Sequence, residues 1–342
     1  LFRSYGGNME PKISVIMPNY NTPINMLSEA VNSILNQTYS NFEFIIVDDC
    51  SSDESYDFLK ALDDPRVVLI RNEQNLGVTK TLNVALSCTR GEYIARMDSD
   101  DISLPDRLEK QLLFMEQSPE VVVCGTYAKE IGDGEKNRYR QIPKKNTYQC
   151  SVLFGNVYGL IHPSAFFRAA VLKKNNIWYD ENISTAQDYA MWAECCRYGE
   201  IANLEEMLFL YRIHKSQVSS RKRELQKKCT IYTQKKQLLK IIPQISDNEV
   251  EQHYLYCVSN EINREMKKWF RTIINENKKR AYVDQTALVE FIKNFLRLKV
   301  NIISSNLQTP QQLISLCLNT NLLEWPIIFK NLFRRVSRKI KS

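Results

Sequence analysis

No stretch of the 342 residues approaches the roughly 18–20 consecutive apolar positions of a membrane-crossing helix, so none is expected in it. The usual phosphate-binding fingerprints are missing as well. VIMPNYNTP follows the first apolar run where a dinucleotide-binding chain carries GxGxxG, and GxxxxGK[ST] occurs nowhere. The dinucleotide-dependent and P-loop classes are thereby excluded. The nine cysteines form no CxxC pair and no zinc spacing, and their odd number fits reduced thiols in a cytosolic protein. Histidine is scarce, at three residues, and no Ser-His-Asp or Cys-His nucleophile is legible from spacing. Glycine disappears after Gly199, which removes glycine-filled left-handed turns from the last third of the chain. The opening LFRSYGGN matches no targeting peptide and reads as a tag remnant.

What is present divides by charge. Residues 1–220 hold 22 Lys and Arg against 29 Asp and Glu, net −7, whereas residues 221–342 hold 24 against 10, net +14. The first part alternates short β-branched runs with helical patterns. Strands are expected at 13–17, 42–47, 67–70 and 93–97, and helices at 26–36, 54–62 and 78–88. Apolar strands joined by helices imply an α/β domain with a mostly parallel, doubly covered sheet, whose ligands gather at the carboxyl ends of the strands. Residues 121–215 keep strand signals at 121–125, 165–167 and 207–211, with a helix over 188–197, and read as mixed sheet completing the same domain. From 221 onward the pattern becomes long polar helices, at 222–241, 248–270, 286–298 and 311–319. Two domains are expected, 1–220 and 221–342.

The polar clusters fall at the strand ends. In ARMDSDDISLPDRL, an apolar strand runs into Asp98, Asp100 and Asp101. Alternation along an extended segment sets Asp98 and Asp100 on one side, roughly 6–7 Å apart, where hard oxygen ligands suit Mg²⁺ or Mn²⁺. A solvated acidic turn is the other reading. Asp48 and Asp49 end the second strand, placed to accept hydrogen bonds from a base or ribose, or to form an Asx turn. Arg71, with Asn75, Gly77 and Lys80 behind it, supplies a cationic stretch entering a helix, suited to a pyrophosphate or base edge. Asp188 lies at a helix start anchored by Met191, Trp192 and Cys195, and it is the candidate proton acceptor; a first-turn acid has the same look. His214 follows a strand and can complete a Mn²⁺ site or meet phosphate, as can His162, while His253 is expected on the surface of a polar helix.

As an ordered set, SVIMPNYN, FEFIIVDDCSSDES, RNEQNLG, GEYIARMDSDD, the QDY element at 187–189 and YRIHKSQVS resemble the inverting GT-A glycosyltransferases of family 2, over roughly residues 12–220. The resemblance implies a GT-A fold with a Rossmann-like sheet and a C-terminal helical appendage. It implies that Pro18, Tyr20 and Asp49 line a base and ribose pocket with Asp48 beside them, that Arg71 and Lys80 lie near the nucleotide, and that Asp98 contacts ribose or metal-bound water. Asp100 is then the ligand of Mn²⁺ or Mg²⁺, His214 sits on the metal or diphosphate, and Asp188 is the general base. Many relatives have Glu-Asp where this chain has Gln187-Asp188. The implied donor is a nucleotide sugar, a UDP-sugar by preference, and the implied acceptor a glycan or lipid-linked glycan of capsule or O-antigen type. A soluble or protein acceptor, a nucleotidyltransferase and an inactive GT-A-like binding module are the alternatives.

The closing WPIIFKNLFRRVSRKIKS has an apolar stripe of Phe329, Leu332, Val336 and Ile340 amid six cations and no acid. As an interfacial helix it would place this protein peripherally on anionic lipid, at the cytoplasmic face of a bacterial inner membrane; docking on the protein's own body is the bland reading. Aromatics do not interleave with the cations as a stacking platform, so nucleic acid is not an expected partner.

Overall fold

A computed structural model describes residues 10–133, 136–139, 142, 145–155, 159–214, 223–259 and 261–305. The expected helix at 311–319, the tail 325–342 and residues 215–220 lie outside these. The chain forms two compact units, Leu1–Tyr148 with Tyr158–Thr230, and Gln149–Val157 with Ile231–Ser342.

The first unit is built on one sheet in the order β3-β2-β1-β4-β8-β6-β9-β5, with β7 beside β6. Strands β1 (Ile13–Asn19), β2 (Phe42–Asp48), β3 (Val67–Arg71) and β4 (Tyr93–Arg96) are mutually parallel, and the first two are buried at every residue. Burial on both faces explains why these runs are continuously apolar rather than alternating. Helix α1 (Ile24–Leu35) buries Leu27, Ala30, Val31 and Ile34, one stripe at helical spacing, while α2 (Ser55–Lys60) and α3 (Val78–Ser87) complete the crossovers. Gly91 allows β4 to enter the sheet, because a Cβ there would lie 2.6 Å from the Ser14 amide nitrogen. Register pairs Asn19 with Asp48 and Asp48 with Arg71, so three strands end in polar residues along one edge.

The remainder of the sheet is mixed. β5 (Ile102–Ser103), α4 (Arg107–Gln117), β6 (Val121–Gly132), β7 (Asn137–Arg138), β8 (Phe166–Arg168), α6 (Ala169–Lys174), α7 (Gln187–Cys195) and β9 (Glu200–Ile213) follow in this unit. β8 is antiparallel to β4 and β6, β6 and β9 run parallel through register shifts, and β5 is antiparallel to β9. α5 spans Lys145–Leu153, and its residues from Gln149 onward belong to the second unit.

That second unit packs Leu153 and Phe154 with residues of α8 (Arg223–Leu238), α9 (Asp247–Val258), α10 (Arg264–Arg280) and α11 (Gln285–Ser305). The helix expected over 248–270 is two. Ser259 is extended and Asn263 caps α10 by accepting the Met266 amide at 2.8 Å, so the chain breaks and restarts between them. His253, expected at the surface, is wholly buried. Its Nε2 donates to the Leu153 carbonyl at 2.8 Å and its Nδ1 accepts from Trp269 Nε1 at 2.9 Å. Two partners for two nitrogens make a neutral imidazole tolerable in an apolar core.

Candidate active site

The edge where the parallel strands end collects the expected residues. Asp48 is fully buried and accepts from Asn19 Nδ2 at 2.9 Å, the Ser51 amide at 3.1 Å and Ser51 Oγ at 2.5 Å. Asp49 accepts from Asn72 Nδ2 and from the Leu76 and Gly77 amides, each at 2.8 Å. That carboxylate therefore shapes the loop between β3 and α3. Arg71 lies against the Tyr56 ring, donates to the Ser51 carbonyl at 2.9 Å and stands 3.5 Å from Asp48. Pro18 is buried within β1, and Tyr20 just beyond it is half exposed. Lys80 sits on the open side of α3, in a cleft of about 480 Å³ shared with Asn83, Trp178 and Glu181.

After β4 the chain turns instead of continuing extended, and this turn brings three carboxylates together where alternation anticipates two. Ligand oxygens of Asp98, Asp100 and Asp101 all lie within 4.8 Å of one another. The turn is held from below by Arg107, fully buried, which donates to the Arg96 carbonyl and to Ser103 Oγ, each at 2.8 Å. From the other side, Arg212 donates its amide to Asp101 Oδ1 and its Nε to the Asp100 carbonyl, both at 2.7 Å. The β5–β9 pairing of Ile102 with Leu210 sets this alignment and carries His214 to the same place, where its Nε2 stands 2.8 Å from Asp100 Oδ2. Burial pushes the carboxyls of Asp98 and Asp101 up, and the neighbouring acids push further; Arg96, 2.6 Å from Asp98, opposes the rise. Three crowded acids, of which Asp101 has a buried oxygen with no partner among the described residues, form a donor set that fits a hard divalent cation.

Asp188 stands in the first turn of α7 and accepts the Tyr189 amide at 2.8 Å. A helix start favours the ionised form of an acid in its first turn. Burial dominates instead and raises its pKa, with the Tyr189 hydrogen bond and the charge of Arg96 acting against it. Arg96 thus acts electrostatically on both the acidic turn and Asp188, from a position 97% buried in which its Nε and Nη1 find no hydrogen-bond partner among the described residues. Sequence reading missed it because an arginine inside an apolar strand looks like an edge residue. His162 is structural: its Nε2 meets the Tyr179 hydroxyl at 2.8 Å, its ring meets Trp192 edge-on, and burial holds its pKa far down. Cys195 and Cys196 are core residues.

The fold and the site define a GT-A type α/β transferase, with polar groups at the carboxyl edge of a Rossmann-like half-sheet. Residues 14–175 match the model of glycosyl transferase family 2. A glycosyltransferase of Methanocaldococcus jannaschii, itself uncharacterised, is 35% identical over 226 residues, 60% of this chain and 73% of that one. TuaG of Bacillus subtilis, named for teichuronic acid biosynthesis, is 32% identical over 65% of this chain and 86% of its own. Among solved structures, S. aureus TarS 1–349 in complex with UDP-GlcNAc superposes with a TM-score of 0.59 at 18% identity, covering 87% of this chain and 93% of that one. A mannosyltransferase of Pyrobaculum calidifontis in complex with GDP-Man and Mn²⁺ gives 0.51 at 14% identity, over 97% and 88%. This chain belongs to glycosyl transferase family 2, and it is a glycosyltransferase.

Proposed function

We propose that the protein transfers a sugar, with inversion, from a nucleoside-diphosphate sugar to a hydroxyl of a surface-polysaccharide precursor. The observation that carries this reading is the convergence of Asp98, Asp100, Asp101 and His214 at one turn, with Asp188 under the same arginine's charge. UDP is the favoured nucleotide, since TarS is solved with UDP-GlcNAc, and the name of TuaG supports a polysaccharide product.

In this mechanism Asp188 accepts the proton of the acceptor hydroxyl while that oxygen bonds to the anomeric carbon. The bond from that carbon to the diphosphate oxygen breaks, and its electron pair leaves with the nucleoside diphosphate. One displacement inverts the centre, so a common α-linked D-sugar donor yields a β-glycoside. A raised pKa makes Asp188 a stronger base than a solvated aspartate, provided it stays ionised, and the Arg96 charge favours that. Asp100 and His214 would hold Mn²⁺ or Mg²⁺, which when bound supplies positive charge opposite the departing diphosphate. Asp49 and Arg71 order the loops on the nucleotide side, with Pro18, Tyr20, Asp48, Lys80 and Asp98 as its further contacts.

The division of labour follows the charge: donor binding and catalysis in 1–220, and acceptor or membrane contact in 221–342. No described helix is long and apolar enough to cross a membrane. Peripheral attachment at the cytoplasmic face through 325–342 rests on its sequence pattern. The decisive experiment is a panel of nucleotide sugars with and without Mn²⁺, reading released nucleoside diphosphate. Mn²⁺-dependent release of nucleoside diphosphate from one donor is expected; release from none, with pyrophosphate formed instead when a nucleoside triphosphate and a sugar 1-phosphate are supplied, would assign a nucleotidyltransferase and overturn the reading.

A further inference from the structure

The described residues hold a second charged feature, remote in sequence from the acidic turn. Helix α10 carries seven Lys and Arg against two Glu over its 17 residues. Its buried residues Met266, Phe270, Ile273 and Asn277 recur at three or four and define the inward face. Arg264, Lys268, Arg271, Lys278 and Lys279 are all exposed, and their spacing of four, three, seven and one sets them along the opposite face, with Asn275 in the gap. At 1.5 Å per residue this stripe is roughly 22 Å long. Both acids, Glu265 and Glu276, fall on one flank, and Glu276 meets Lys279 at 2.5 Å.

Local helix stability does not account for the pattern. Cations in the last turn are favoured by the helix dipole, which covers Lys278 and Lys279, but Arg264 lies at the positive end, where the dipole disfavours it. Nor does the face suit a compact anion. Its cations are spread along the exposed side of one helix, and the two aromatics of α10 lie off that side: Phe270 is buried and Trp269 donates to His253. Without a stacking ring the stripe is poorly made for bases or sugar rings. A row of exposed cations along one helix face matches a plane of diffuse negative charge.

We propose that this face of α10 is a docking surface for an anionic lipid bilayer. The inference shares with the proposed function the idea of membrane attachment, but it uses a different surface from the tail and does not depend on which donor or acceptor the enzyme uses. Each cation near such a surface is worth about a fivefold change in partitioning.

The test sediments the full chain with vesicles of phosphatidylcholine containing phosphatidylglycerol, and with phosphatidylcholine alone, at about 0.1 M salt. The comparison is with Lys268→Glu/Arg271→Glu/Lys278→Glu, three exposed positions whose thermal unfolding is expected to match the parent. Binding to the anionic vesicles only, reduced about 100-fold or more in the triple variant, is the expected result. A chain ending at residue 324 should keep a component of binding that the triple substitution removes. Equal binding of variant and parent overturns the proposal, and so does absence of binding to anionic vesicles. Binding to soluble polyglutamate with none to vesicles would assign the stripe to an anionic polymer and also overturn it. Donor turnover by the triple variant should equal the parent's, which separates a failure here from a failure of the transferase reading.

Discussion

His214 Nε2 lies 2.8 Å from Asp100 Oδ2, although 114 positions separate the two residues. The contact joins the acidic turn to the end of the longest strand. It makes the donor set one of imidazole and carboxylate instead of carboxylates alone, a combination that Mn²⁺ accepts.

Removing either partner should therefore weaken metal binding before it affects folding. Asp100→Asn and His214→Ala are expected to lower Mn²⁺ affinity about 10- to 100-fold, read by the paramagnetic resonance of free Mn²⁺. Chelation by EDTA should abolish sugar transfer and added Mn²⁺ restore it. Unchanged affinity in both variants would remove these residues from the metal site.

Asp188→Asn should reduce transfer at saturating donor by about 10²–10⁴-fold while leaving the donor dissociation constant nearly unchanged. In the parent enzyme, kcat/KM should fall as pH drops through the pKa of Asp188, since a base in the proposed role works ionised. Burial puts that midpoint above the 3.8 of an ordinary aspartate. Arg96→Met removes the charge that opposes the rise, so the acidic limb should move to higher pH. A pH profile identical to the parent's would show that Arg96 does not act on the base.

Asp49→Ala leaves Asn72 Nδ2 and the Leu76 and Gly77 amides without their acceptor. A loss of about 1–3 kcal/mol in urea unfolding is expected, since Asn72 is buried and the Leu76 and Gly77 amides half-buried, and a donor left unsatisfied away from water is destabilising. An effect on donor binding without any loss of stability would instead mark the carboxylate as a ligand group only.

His253 links stability to acid. Its folded pKa is pushed down to about 4 by burial, from an ordinary 6.5. The unfolded chain therefore binds the proton more readily, and the stability contributed by the neutral ring is complete above pH 6.5. It is lost as pH falls toward 4, by about 3 kcal/mol over the window. Urea unfolding at pH 7 and pH 4.5 should show that drop, and His253→Gln should show a smaller one.

The elements legible in the sequence were those whose burial is complete. Ile13–Asn19 and Phe42–Asp48 read as strands because both faces are covered, and Leu27, Ala30, Val31 and Ile34 read as a helix because only one is. The acidic turn was legible as chemistry but not as shape. Alternation assumes an extended chain, whereas the backbone turns after Met97 and draws Asp101 into the cluster. His253 was misplaced because its helix is polar, and only packing shows that Trp269 and the Leu153 carbonyl satisfy its ring.

By itself the sequence determined the alternation of strands and helices over the first hundred residues, the family, the identity of the acids at the strand ends and the basic character of the last third. The elements, the acids and the basic third follow from local periodicity and residue type, and the family from the resemblance carried by the ordered motifs. The tertiary structure decided what meets what. Pairing of Ile102 with Leu210 brings His214 to Asp100, and a buried arginine on β4 places the acidic turn and the helix of Asp188 under one charge. Such contacts join residues a hundred positions apart, and they depend on strand register and burial, which no local pattern encodes.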